Sequence, residues 1–235
     1  MPHECDVCIP CYEMNGKGAE YLNSLLWSLC IQEGVDFGVV VSDQSEDDKV
    51  EEVCESYDFV RYHRFEGPRN PCDNLNNALS ISDAKVIKIM FQDDLMIPEK
   101  DSLHKCVSPI LSGNARWSAC TCMHTSDGVS LERMITPRYH DQIHYGVNTM
   151  SSPSIISILN EDVPDFDNQV SLLLDVDWYK RVHDAYGDFW LIDDPCIVNR
   201  LHENSISNTV NKNTGEVLLK EREYIREKYE RMSAE

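Results

Sequence analysis

Apolar and polar positions alternate along the chain in a way that sorts it into short strands and striped helices. Runs at 6–10, 37–41 and 58–63 read as strands. Between the first two, Leu22, Leu25, Leu26 and Leu29 recur at i, i+3, i+4 and i+7, which predicts a helix over 19–32 with one face packed on a sheet. A second helix is predicted over 46–56, where acids in the first turn complement the positive end of its dipole. Strand, helix, strand, helix, strand is the pattern of a parallel, doubly wound half.

The central feature is the run 84–98, AKVIKIMFQDDLMIP. Val86, Ile87, Ile89, Met90 and Phe91 are nearly continuous and apolar, as expected of a strand buried on both faces of a sheet. The run stops at two acids, Asp93 and Asp94. Ligands of open α/β sheets bind outside the carboxyl ends of the strands, so a carboxylate pair there faces a ligand or forms a solvated turn before Pro98. Adjacent side chains on an extended chain point opposite ways, which predicts different tasks for the two acids.

Around this strand the pattern continues. GPRNPCD at 67–73 is turn chemistry, a short helix follows over 74–82, and a further helix runs from 98 to 112. Residues 117–123 and 154–159 read as strands, and 189–192 and 196–201 as two more short ones. The stretch 124–150 has little period and many His and Tyr residues, which favours a ligand-facing loop. Val176, Tyr179, Val182 and Tyr186 mark a helix face ending near Gly187. The expected organisation is one domain over 1–215 and an amphipathic helix over 216–235. The stripe Leu218, Ile225, Tyr229 and Met232 of that helix would dock on the domain or on a second subunit, as in a homodimer.

Composition narrows the function classes. With 235 residues the chain can bury a large core, and its formal charge of −20 argues against nucleic acid or anionic membrane surfaces as partners. An acidic protein that binds a phosphorylated ligand would use a divalent cation to bridge the two. No apolar run has the length of a transmembrane segment and the start, MPHECDV, lacks signal-peptide features, so a cytoplasmic location is expected. The 10 cysteines are dilute and read as reduced thiols. Cys5, Cys8 and Cys11 have the spacing of a partial metal knuckle, with Cys120 and Cys122 as conceivable partners, but lack of a second CxxC favours core thiols.

Four stretches stand in order: SDQS at 42–45, FQDD at 91–94, LLLDVDWYKR at 172–181 and RLHENSIS at 200–207. With IPCYEMN, RNPCDNLNNAL and SSPSIIS, they resemble family 2 glycosyltransferases of the GT-A fold, from Asp6 to about Asn208. The resemblance implies an α/β fold with a mostly parallel, Rossmann-like sheet flanked by helices. It implies that Pro10, Tyr12, Asp43, Arg69, Asn70, Asn74 and Asp93 bind the donor nucleotide, with Asp43 accepting from the imide N–H of uracil or thymine. Asp94 and His202 would hold the metal, Mn2+ or Mg2+, although FQDD departs from the commoner D-x-D and leaves open which acid is the ligand. The DVD stretch implies a base at Asp175, with Asp177 as the second candidate or a helix cap. Ser152, Ser154 and Asp177 would border the acceptor.

The implied reaction is inverting transfer of a hexose from a nucleotide-sugar donor, UDP or dTDP type, to a hydroxyl of a glycan or lipid-linked acceptor, as in polysaccharide biosynthesis. A lipid-linked acceptor would make the protein peripheral to a membrane. An inactive relative that binds sugar or nucleotide also suits the missing first acid. A sugar nucleotidyltransferase would need a better phosphate loop than Asn15-Gly-Lys-Gly18, which lacks the rest of a Walker motif.

Overall fold

The computed structural model describes residues 2–202 and 214–232. Its first half follows the predicted alternation. Strands β1 (Cys5–Cys11), β2 (Phe37–Asp43) and β3 (Val60–Arg64) are joined through helices α1 (Gly18–Cys30) and α2 (Lys49–Cys54). Helix α3 (Pro71–Ile81) then leads to β4 (Val86–Ile89), which lies on the other side of β1. All pairings within β3-β2-β1-β4 are parallel. The strand order therefore reverses between β1 and β4, which opens a crevice at their carboxyl ends. The four leucines of α1 are fully buried, as their spacing requires.

The second half is mixed. After β5 (Leu95–Met96), helix α4 (Ser102–Leu111) leads into β6 (Trp117–Thr125), and β7 (Met134–Ile135) folds back on it. Strand β8 (Ile156–Leu159) inserts antiparallel between β4 and β6, and β9 (Trp190–Arg200) runs parallel to β6 while pairing with β5. The two short strands expected over 189–201 are one strand. Its pairing with β6 shifts register around Cys120 to Cys122, opposite Pro195, which has no N–H to give the ladder. Strands β5 and β7 are two residues each, too short for any periodicity to announce them.

The sheet buries a cation as well as the acids Asp6 and Asp43. Lys88 of β4 is fully buried, and its ammonium donates to the backbone carbonyls of Ser154 and Ile156. This bond set fixes the 3-10 turn Pro153–Ile155 against the end of β4. The turn returns a bond of its own, Ser154 Oγ accepting from Phe91 N–H at 2.8 Å.

Helix α5 (Leu174–Tyr186) carries the DVD stretch, and helix α6 (Thr214–Met232) packs against it. Ile225 and Tyr229 of α6 are buried and Leu218 partly so, but Met232 is exposed, so the predicted stripe stops one turn early. The fastening is ionic as well as apolar. Asp177, fully buried, accepts from Arg181 Nε at 3.1 Å, Lys228 Nζ at 2.9 Å and Tyr229 OH at 3.0 Å. Lys228 also meets Asp167 at 2.7 Å. Asp177, read from the sequence as a second candidate base, a helix cap or an acceptor contact, is enclosed between α5 and α6, and its carboxylate holds α6.

Replacing Lys228 by Met should lower stability by up to about 3 kcal/mol, the low side of what breaking a buried pair costs, because Arg181 and Tyr229 still serve Asp177. Urea unfolding monitored by circular dichroism measures it. An unchanged midpoint would show that the pair does not hold α6.

Candidate active site

At the strand-order reversal lies a cavity of about 570 Å³, a size that suits a small-molecule ligand. Its walls include Pro10 at the end of β1 and Tyr12 just after it, Arg69, Asn70 and Asn74 at the start of α3, Asp93 and Asp94 after β4, Ser152, and Asp175 on α5. Nine of the residues expected to bind donor, metal or acceptor or to act as base are therefore brought to one space. Four are not: Asp43, Ser154, Asp177 and His202 lie off the wall.

The loop after β1 is shaped from below by Gln92. Its Oε1 accepts from Tyr12 N–H at 2.7 Å, and its Nε2 donates to the carbonyls of Tyr12 and Gly18 at 3.0 and 3.1 Å. Gly18 is required at this closure, since a Cβ would stand 2.1 Å from Tyr12 O and 2.9 Å from Gln92 Nε2. The departure from D-x-D at Gln92 thus has a local cause: the position needs a donor, which a carboxylate lacks.

Asp94 is nearly buried. Oδ2 accepts from Ser152 Oγ at 3.1 Å and Asn199 Nδ2 at 2.9 Å, and Oδ1 from Arg200 N–H at 3.1 Å. Burial, and then the charge of Asp93, lift its pKa to about 7. Asp93 is more open, and its Oδ2 meets His202 Nε2 at 2.7 Å. His202 was expected beside Asp94 as a metal ligand; instead it packs on the Tyr21 ring, centroids 5.0 Å apart, and reaches Asp93. The rest of the RLHENSIS stretch, 203–207, lies outside the described residues.

These donors suit a hard divalent cation. Asp94 takes three of the roughly four hydrogen bonds a carboxylate can accept, and Asp93 lies open to the same cavity, so oxygen ligands remain for a cation that phosphates and water would complete. The cysteines form no such site with the knuckle spacing, because three residues along β1 put Cys8 on the face opposite Cys5 and Cys11. Among the described residues, the group of three ligand atoms mutually within 4.8 Å is Cys106, Cys120 and Cys196, all buried in the core.

Asp175 stands in the first turn of α5, partly buried. Its Oδ1 accepts from Val176 N–H at 2.7 Å and its Oδ2 from Asn148 Nδ2. Burial raises its pKa to about 6, against these two bonds. Asn148 comes from the irregular 124–150 stretch, where nothing in the pattern singles it out.

Asp43 departs from expectation. It is fully buried, and its oxygens are engaged by Ser45 N–H at 2.9 Å, Ser45 Oγ at 2.5 Å and Tyr62 OH at 2.9 Å. It builds the turn that carries Gln44 into the cavity wall. Ser154, expected beside an acceptor, is likewise buried; it accepts from Phe91 N–H and does not line the cavity. Asn74 lines the cavity but is pinned, donating to Cys11 O at 2.9 Å and accepting from Ser42 Oγ at 2.6 Å.

The comparisons with known proteins agree with this geometry. Residues 6–167 match the family model "Glycosyl transferase family 2". The chain belongs to this family. Among solved structures, the chain resembles S. aureus TarS 1-349 in complex with UDP, with a TM-score of 0.66 at 17% identity over 85% of this chain and 61% of that one. The complex of TarS 1-349 with UDP-GlcNAc gives 0.65 at 18% identity, over 85% and 59%. The mannosyltransferase PcManGT from Pyrobaculum calidifontis, in complex with GDP-Man and Mn2+, gives 0.58 at 16% identity, over 85% and 57%. These likenesses establish the GT-A fold, and the chain spans about three fifths of those proteins' length. No curated protein matches by sequence. Among the described residues no helix is long and apolar enough to cross a membrane.

Replacing Gln92 by Glu should destabilise the domain by roughly 1–3 kcal/mol, because a carboxylate would face two carbonyl oxygens in place of an amide donor. A thermal melt in the absence of metal reads the effect. A gain in stability would contradict the assigned orientation of the Gln92 amide.

Proposed function

We propose that this glycosyltransferase moves a hexose from a UDP- or dTDP-sugar to a hydroxyl of a glycan or lipid-linked acceptor, with inversion, in the cytoplasm. The observation that carries the reading is that a pair of acids at the end of β4 and a separate carboxylate of raised pKa on α5 line one cavity. The division suits a single displacement. One wall holds the leaving diphosphate, and the other removes a proton.

On the donor wall, Asp94 and Asp93 would hold Mn2+ or Mg2+, with His202 fixing the orientation of Asp93. A divalent cation bound there supplies charge stabilisation to the departing diphosphate. The PcManGT complex with GDP-Man and Mn2+ supports a metal, and TarS with UDP and UDP-GlcNAc supports a uridine donor. Gln44 is our choice for reading the base. Its Nε2 donates to Pro68 O at 2.5 Å, which leaves Oε1 to accept from the imide N–H of uracil or thymine. Pro10 and Tyr12 line the same cavity, as do Arg69 and Asn70 at the start of α3.

On the acceptor wall, Asp175 takes the proton as the hydroxyl oxygen forms its bond to the anomeric carbon. The bond from that carbon to the diphosphate oxygen breaks in the same step, and the electron pair leaves with the diphosphate. Asn148 orients the carboxylate by its bond to Oδ2. Ser152 stands where the two walls meet, tied to Asp94.

Nucleoside diphosphate release from a panel of UDP-, dTDP- and GDP-sugars in manganese tests the donor class; turnover confined to the GDP-sugars would refute the pyrimidine assignment. Asp94→Asn should weaken UDP binding in manganese by about one to two decades, the worth of roughly 1.5–3 kcal/mol, and unchanged affinity by calorimetry would remove Asp94 from the metal site.

For Asp175 the sign is definite. A base must be ionised, so turnover should fall about tenfold per pH unit below about 6 and level off above it. The raised pKa also means that folding penalises the ionised form: stability is lost as pH rises through the folded pKa. Asp175→Asn should therefore raise the melting temperature at pH 8 while turnover drops roughly 10²–10⁴-fold. Full activity in this variant would place the base elsewhere.

A further inference from the structure

Helix α5 begins without a conventional cap. Its N-cap residue is Leu173, which offers no side-chain acceptor, although the first N–H groups of a helix need partners from outside it. The partner comes from α6. Glu221 accepts at Oε1 from Ser171 N–H and Ser171 Oγ, both at 2.8 Å, and at Oε2 from Leu172 N–H and Leu173 N–H, both at 2.9 Å. Four donors thus converge on one carboxylate in a residue only 6% exposed.

The backbone that Glu221 grips is the cavity wall itself. Ser171 and Leu172 line the cavity beside Leu174 and Asp175. Glu221 does not line it. It lies beyond the 6–167 match, on a helix anchored independently by Lys228 to Asp167 and Asp177, and by Tyr224 to Asp167 at 2.9 Å.

We infer that Glu221 is a positioning residue for sugar transfer: by clamping the 171–173 backbone it sets the start of α5 and aims Asp175 at the acceptor hydroxyl. This rests on the reading of Asp175 as the base. All four partners are donors, so the position requires an acceptor at both oxygens. A glutamine would turn an NH2 toward backbone N–H groups, and an aspartate would keep the charge on a shorter arm. The negative charge also complements the positive end of α5. Its proximity adds to the raised proton affinity of Asp175, a smaller contribution than burial.

The test compares Glu221→Gln and Glu221→Asp with the parent by three readouts: hydrogen exchange of the 171–176 amides, UDP affinity in manganese, and kcat and KM for the sugar donor found active in the panel. For Glu221→Gln we expect at least tenfold faster exchange at 171–173, UDP affinity and donor KM within about twofold of the parent, and kcat lower by ten- to a hundredfold. Glu221→Asp should recover part of both protection and kcat. Faster exchange with parental kcat would overturn the positioning role and leave a purely structural cap. Unchanged exchange would overturn the clamp. If Glu221→Gln fails to fold, Glu221→Asp carries the same comparison, and a proportionate loss of UDP affinity and kcat in it would also count against positioning. Exposed Leu219→Ala on the same helix controls for general effects and should match the parent. A parental rate in Asp175→Asn would sink the base assignment separately, since exchange at 171–173 does not depend on it.

Discussion

The carboxylate of Asp94 is the junction on which the two halves of the sheet depend. It leaves the end of β4, in the parallel half, and accepts from Asn199 and Arg200 at the end of β9 and from Ser152 before the 3-10 turn. An ionised carboxylate is costly to bury, and the three donors offset that cost only when all are in place. Arg200 adds a bond from Nε to Asp93 O at 3.1 Å and lays its guanidinium 4.7 Å over the Tyr21 ring, so α1 joins the same junction. The cavity is what remains once these pieces have been drawn together.

A second polar layer supports this one from inside the core. Lys88 reaches the carbonyls of Ser154 in the 153–155 turn and of Ile156 at the start of β8, and Ser154 answers to Phe91, so the turn that presents Ser152 is fixed on both sides. Gln92 does the equivalent for the loop after β1. Much of the site is thus supported by side chains whose hydrogen bonds are turned inward, and near neighbours in sequence reach the wall: Gln44 after Asp43, Asp93 after Gln92, Ser152 two residues before Ser154.

This offset explains what was legible in the sequence. Strand and helix periods announced β1 to β4 and α1; β1, β2, β4 and α1 bury their apolar residues, while β3, at the edge of the sheet, does so only in part. The acid pair was legible as candidate chemistry because it ends a buried apolar strand at the carboxyl edge of the sheet, although a solvated turn before Pro98 would show the same letters. The roles of Asp43, Ser154 and Asp177 were not, since a motif residue that contacts ligand and one that props its neighbour look alike in a linear pattern. Asn148, Asn199 and Glu221 were invisible for another reason: each meets its partner across 27 to 105 residues of chain, beyond the reach of any local period. The split of β9 into two strands follows from Pro195, which reads as a break but is absorbed by the register shift.

The same separations bear on the order in which the molecule comes together. The β1-β2 and β2-β3 pairs close short loops, whereas β4 meets β8 across Val86 and Leu159, β6 meets β9 across Ser118 and Trp190, and Asp94 meets Asn199 across 105 positions. Closing a loop of about 100 residues costs on the order of 2 kcal/mol more than closing one of about 10, before any contact repays it. Chains dominated by such distant pairings fold slowly. The β1-β2-β3 unit can therefore condense early, whereas β1 meets β4 across Cys5 and Val86, as distant as the later pairings, and the pocket waits for the return of β9, so that during refolding the cavity forms later than much of the helical signal.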